Sequence, residues 1–176
     1  MDTTQAFGIS AGKTKTLVQS GSTQFIQNIE TTTSIANNNY VIFEINGSGI
    51  ANTGLSGLDW RNVSTGGYFQ NAQKIKSMIL VASTNAASTK NYELYVLTCS
   101  NGTYVGATSI TFTPSVVIDT IAIGNSASFS MDKIAIPAGF VEPSKGDLVG
   151  FALKNVSGGT VGGMKAQLTV MFENNL

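Results

Sequence analysis

The sequence predicts an all-β fold: an antiparallel β-sandwich of jelly-roll type with about eight to ten strands. Three observations carry that prediction. Apolar and polar residues alternate with a period of two along most of the chain, as half-buried strands require. Ser, Thr, Asn and Gly make up 72 of the 176 residues, and these favour turns, caps and strands over helix interiors. Finally, no capped run of apolar residues at i, i+3, i+4, i+7 supports a long helix.

In chain order, Lys15–Val18 and Gln24–Ile29 are weak strand candidates. Tyr40–Ile45 is a β-branched and aromatic run that Asn46-Gly47-Ser48-Gly49 stops with turn chemistry. Gly54–Asp59 has room for one short helical turn. Lys74–Val81 and Asn91–Thr98 are strands, and the polar Ser83–Ser88 loop between them reads as closing a hairpin. Asn101-Gly102 signals a tight hairpin turn. Beyond it come Ser109–Phe112, Val116–Ile118, Phe129–Met131, Lys133–Ile136 and Leu148–Leu153. Gly158, Gly159, Gly162 and Gly163 read as a flexible turn between two strands. The last strand places Ala166, Leu168, Val170 and Phe172 on one face, with Lys165, Gln167 and Thr169 on the other. Met171 breaks the polar face, which implies that this face is also covered.

The domain reading is an N-terminal arm or edge region over 1–36, followed by the sandwich over 37–176. Residues 46–73, rich in glycine and carrying Trp60, Tyr68 and Phe69, read as a long decorated loop; loops of that length tend to be functional.

Composition excludes several function classes. Charged residues are 11% of the chain and the net charge is zero, so nothing drives binding to a phosphate backbone by counterion release. The one arginine and the scattered lysines form no stripe, and nucleic acid is not an expected partner. No apolar stretch approaches the roughly 20 residues that cross a bilayer, so no membrane insertion is expected. The N-terminal Met1–Gln5 does not read as a secretory signal, which fits synthesis in a cytoplasm. Cys99 is the single cysteine, so it has no disulfide partner in the chain and reads as a packed small hydrophobe.

The chain has no histidine, which removes Ser-His-Asp and Cys-His catalysis and every histidine-containing metal site. It has no phosphate-binding glycine loop with its lysine, and no acidic calcium loop. Paired carboxylates remain as the one enzymatic route. Glu44 and Glu93 interrupt apolar strands and are the candidates for it, but outward positions on alternating strands explain them better. No catalytic residue, metal site or cofactor is expected, and the chain reads as a non-enzyme.

The candidate surface-recognition residues are Trp60, Arg61, Tyr68 and Phe69. An aromatic ring flanked by Asp59 and Arg61 suits stacking on a sugar while the polar neighbours bind its hydroxyls. The same residues would also serve as a plug at the end of the sandwich, or as a contact between subunits.

Lys133-Ile134-Ala135-Ile136-Pro137-Ala138-Gly139 leads through a short arm into Gly146-Asp147-Leu148-Val149. This strand, Ile-Pro-Ala-Gly turn and Gly-Asp-Leu-Val opening resembles jelly-roll modules of bacteriophage virion proteins: head fibres, capsid decoration proteins and fibre tips. The resemblance covers about a tenth of the chain. It implies a homo-oligomer, with a trimer favoured, in which an edge of the sandwich packs about the threefold axis. It also implies a virion-surface location after synthesis in the host cytoplasm. Other virion proteins would then be held through the 1–36 arm, and a cell-surface glycan would be the host contact. The second reading, from a different class, is a carbohydrate-binding module or lectin-like domain.

Overall fold

The computed structural model describes residues 22–43, 50–58, 73–100, 109–115, 117–124, 130–144 and 146–174. The first five strands are β1 (Ser22–Thr31), β2 (Tyr40–Ile42), β3 (Ile50–Thr53), β4 (Gln73–Thr84) and β5 (Lys90–Cys99). Then come β6 (Thr113–Pro114), β7 (Asp119–Ile123), β8 (Ser130–Ile134), β9 (Leu148–Asn155) and β10 (Met164–Asn174). The described residues contain no helix, and every strand pair is antiparallel.

Two sheets pack against each other as a β-sandwich. One is four-stranded, in the order β1-β10-β4-β8. The other runs β3-β2-β9-β5, and the far edge of β5 is shared by two short strands. β6 pairs with Leu97 and Thr98, while β7 pairs with Lys90–Leu94. Between them the chain stays on β5 through Ser115, whose amide bonds the Val96 carbonyl at 2.8 Å while its hydroxyl accepts from the Val96 amide at 3.2 Å.

The core follows from the alternation. β10 turns Met164, Ala166, Leu168, Val170 and Phe172 inward, all buried, against Val149, Phe151 and Leu153 of β9 and Leu94 and Val96 of β5. In β4 the inward residues are Ile75, Met78, Leu80 and Ala82. The three-residue step from Ile75 to Met78 departs from a period of two, and the register of β10 shows why. Met171 lies opposite Ser77 but Phe172 lies opposite Ile75, so Lys76 is the extra residue of a β-bulge. The bulge keeps Ile75 in the core and leaves Lys76 in water.

The six-stranded sheet is covered on its inner face and on part of its outer face. Its outer side carries Ile42, Tyr95, Leu97, Cys99, Leu148 and Ala152, covered by Leu55, Leu58, Ile110 and Phe112. Leu58 and Ile110 bridge each other through both backbone groups, and the Phe112 amide bonds the Leu55 carbonyl at 2.8 Å. This explains why β9 is buried along nearly its whole length, six of its first six positions included. Cys99 is buried in this second cluster.

Several expectations change. β4 and β5 do not form a hairpin: they lie in different sheets, and the connection over 85–89 crosses the sandwich. The corner is held by backbone bonds from Thr84 to the Gly124 carbonyl and from Asn85 to the Gly163 carbonyl, both 2.8 Å. Alternation sets which face a strand buries, but both sheets bury one face against the same core, so it does not name the partner. The glycine-rich connection from β9 to β10 likewise crosses between sheets. The stretch 54–58 forms bends and a bridge in place of a helical turn, and β3 lies inside the 46–73 stretch. Val117 and Ile118 precede a strand that begins at Asp119, and the described parts of Phe129–Met131 and Lys133–Ile136 join in β8, which ends at Ile134. Lys15–Val18 and Asn101-Gly102 lie outside the described residues.

Candidate functional site

A partly enclosed cleft of about 340 Å³ lies at one end of the sandwich. One wall is β5 and β6, through Val96, Thr98, Thr113 and Pro114. The other is the β8–β9 connection, through Phe140–Ser144 and Asp147. The second wall is the segment whose turn chemistry stands out in the sequence.

Two turns shape that wall. The Phe140 amide bonds the Pro137 carbonyl at 3.2 Å, and Gly139 at the third position has φ 83°. That is the type II arrangement, which favours glycine there. The Asp147 amide bonds the Ser144 carbonyl at 3.0 Å with Gly146 at φ 90°. The Asp147 Oδ2 then accepts from the Ser144 amide at 2.8 Å, closing the second turn from the other side. Between the turns, the Glu142 Oε2 accepts from the Ile75 amide of β4 at 3.1 Å, tying the connection to the four-stranded sheet. Phe140 packs against the main core with part of its surface and faces the cleft with the rest.

Two carboxylates line the cleft, and one ammonium, that of Lys74, acts on Glu142. Burial pushes the Glu142 carboxyl above its ordinary value, while the Ile75 amide and the Lys74 ammonium pull it back down. The cleft therefore presents carboxylate and hydroxyl acceptors beside an apolar wall, with a cation close by.

A second constellation lies on the outer face of the six-stranded sheet. Cross-strand pairing aligns Thr53, Tyr40, Lys154, Glu93 and Thr120 in one row. Tyr95, two residues along β5 on the same face, donates its hydroxyl to the Glu93 Oε2 at 2.7 Å. The Tyr40 and Tyr95 rings meet edge to face with centroids 5.8 Å apart, and the Lys154 ammonium stands 5.9 Å from the Tyr40 ring centre. Burial raises both phenol pKa values, Glu93 adding to each. Glu93 thus interrupts its strand as a half-buried acceptor for a tyrosine.

Of the residues singled out from sequence, Trp60, Arg61, Tyr68 and Phe69 lie outside the described residues, as does Glu44. Sequence reasoning did not single out Glu142 or Asp147, and the fold brings both to the cleft. The signal that could have found them was the pair of glycine turns three and one residues away, which fold the connection back on itself. Among the described residues, no group of three or more His, Cys, Asp or Glu side chains could hold a metal ion.

No protein-family model and no curated protein matches this chain. Among solved structures, it is similar to the CBM22-1 and GH10 modules of the N-terminal endo-1,4-β-D-xylanase 10B of Clostridium thermocellum, complexed with xylohexaose. Identity is 13% and the TM-score is 0.39, over 86% of this chain and 26% of that one. The chain thus spans about a quarter of that neighbour's length. A likeness this loose does not extend to ligand or activity.

Proposed function

We propose that this protein is a non-catalytic structural subunit that assembles with copies of itself through the outer face of its four-stranded sheet, as part of a bacteriophage virion surface. One observation carries the assembly reading. Among the large apolar side chains left in water, Ile26 (55% exposed), Ile79 (40%) and Met131 (75%) share that one face, whereas Val117 and Val141 lie elsewhere on connections. Cross-strand pairing sets Ile26, Thr169, Ile79 and Lys133 in a row, and Val81 joins Met131 in an adjacent row.

The face carries these apolar side chains between charged ends, with Thr169 and the edge-strand Lys133 beside them. Glu30 and Lys165 pair at 2.7 Å at one end, and Lys74 and Glu173 lie opposite each other at the other. Apolar side chains within a polar rim are the anatomy of a protein interface. Burying each large apolar side chain fully is worth about 1.5–3 kcal/mol, so a few of them support association. The two sheet edges differ in the same sense. β8 has five residues and carries Asp132 across from the core residue Leu80, an inward charge that discourages edge pairing. β1 has ten residues with a single charge, Glu30. The virion placement is supported by the Lys133–Val149 resemblance and by the charge-poor composition.

Light scattering coupled to size exclusion tests the assembly. The intact chain is expected to run as an oligomer, a trimer by the resemblance, and Ile79→Lys as a folded monomer. A monomeric wild-type protein overturns the assembly reading. Mass spectrometry of purified particles tests the placement, and its absence from every particle overturns that part.

A further inference from the structure

The cleft between β5–β6 and the β8–β9 connection has no role in the assembly just described, since it lies at an end of the sandwich and the apolar face lies across the four-stranded sheet. We infer that this cleft binds one ring of a neutral saccharide, with Phe140 and Pro143 against the apolar face of the sugar and Glu142 and Asp147 accepting its hydroxyls.

The size fits. A cleft of about 340 Å³ sits at the small end of the range for ligand sites, which suits one pyranose ring with its substituents. The lining fits as well. A pyranose presents an apolar C–H face and a rim of hydroxyl donors, and the cleft offers an apolar wall beside acceptors. Its carboxylates already commit one oxygen each to a backbone amide, Glu142 to Ile75 and Asp147 to Ser144. Those bonds fix the orientation of each group, and a carboxylate has capacity for further donors. A positioned charged acceptor makes the stronger class of hydrogen bond to a hydroxyl.

The main competing ligand for two carboxylates is a cation, and Lys74 offsets one of the two charges. Lys74 already acts on Glu142, so the field of the cleft is partly neutralised. A bound cation would lose its hydration without a fully matching counter-charge. A neutral polyol carries no such penalty.

The test is nuclear magnetic resonance titration of the full chain with glucose, galactose, N-acetylglucosamine, cellobiose, maltose and lactose. At least one sugar is expected to shift the amides of Val96–Thr98, Thr113, Ser115, Phe140–Glu142 and Ser144 saturably, with Kd on the order of 1 mM. Glu142→Gln keeps the shape and an acceptor for the Ile75 amide but removes the charge, and should weaken that sugar about tenfold. No shift with any of the six sugars overturns the inference, as do shifts that map elsewhere. Equal shifts of the same amides by n-butylammonium or calcium chloride also overturn it and assign a cation site. The solution mass of the protein is a separate readout, so failure here leaves the assembly reading standing, and the reverse also holds.

Discussion

The side-chain amide of Asn155 reaches the carbonyl of Ile35, 120 positions earlier in the chain, at 2.9 Å. The same nitrogen donates to the Gly159 carbonyl at 2.8 Å, and the Oδ1 accepts from the Ser157 amide at 3.0 Å. The Asn155 backbone adds two more bonds, to Asn39 at 3.0 Å and from Asn38 at 2.8 Å. One fully buried polar residue therefore joins the end of β9, the glycine-rich crossover and the β1–β2 connection. Asn38 itself sits at φ 66°, a conformation that asparagine tolerates better than most residues.

Replacing this amide should be costly in a way that identifies the donors as the important part. Asn155→Asp keeps the shape, loses both donated bonds and buries a carboxyl facing two carbonyl oxygens. Burial would raise the folded-state pKa of that carboxyl above its unfolded value. The variant's stability is then greatest below the ordinary carboxylate pKa and falls as pH rises through the folded value. Urea unfolding should show a loss of about 3 kcal/mol or more at neutral pH, partly recovered in acid. The wild-type residue does not titrate and lacks this dependence.

Gly163 tests the crossover by sterics alone. A Cβ there would overlap the Thr31 carbonyl oxygen and approach the Thr32 Cα to 2.6 Å, both backbone atoms that no rotamer can move. Gly163→Ala should destabilise the fold by about 3 kcal/mol or more, read as a lower urea midpoint. Gly159→Ala, with nothing within 4 Å of the added carbon, is the matched control and should change stability little.

Tyr92 offers a change in the opposite direction. Its side chain is fully buried, its hydroxyl has no hydrogen-bond partner among the described residues, and burial pushes its phenol pKa up. Removing an unsatisfied buried hydroxyl relieves its desolvation penalty. Tyr92→Phe should therefore leave stability unchanged or raise it by about 1 kcal/mol, measured as an upward shift of the melting temperature.

Glu142 makes stability depend on pH. Burial is the leading influence and raises its folded-state pKa, so the native protein holds that proton more tightly than the unfolded chain does. Its contribution is present in acid and lost as pH rises from the ordinary carboxylate value through the folded one. Glu142→Gln, a neutral stand-in for the protonated acid, should flatten this part of the stability–pH curve, matching wild type in acid and standing above it at neutral pH. An unchanged slope in the variant would show that the carboxyl does not titrate this way.

Most strand positions were legible in the sequence because alternation is a local property. Ala166, Leu168, Val170 and Phe172 announce the face they bury, and the structure buries all four. The Pro137-Ala138-Gly139 turn marks its boundary by the conformations those residues favour. Sandwich class follows from such local signals, since many short half-buried strands must stack in two sheets to cover one face each. The sequence by itself therefore determined the class, the inward faces and the absence of histidine chemistry.

Strand partners were decided only by the tertiary structure. β4 and β5 follow each other in sequence, yet they lie in different sheets, β4 paired with β10 and β8 and β5 with β9. The bulge at Lys76, the second apolar layer over Ile42 and Tyr95, and the meeting of Glu142 with Asp147 all depend on pairings between distant residues. A period of two says which side of a strand faces the core, but the geometry that brings two distant strands together is a property of the whole packed chain.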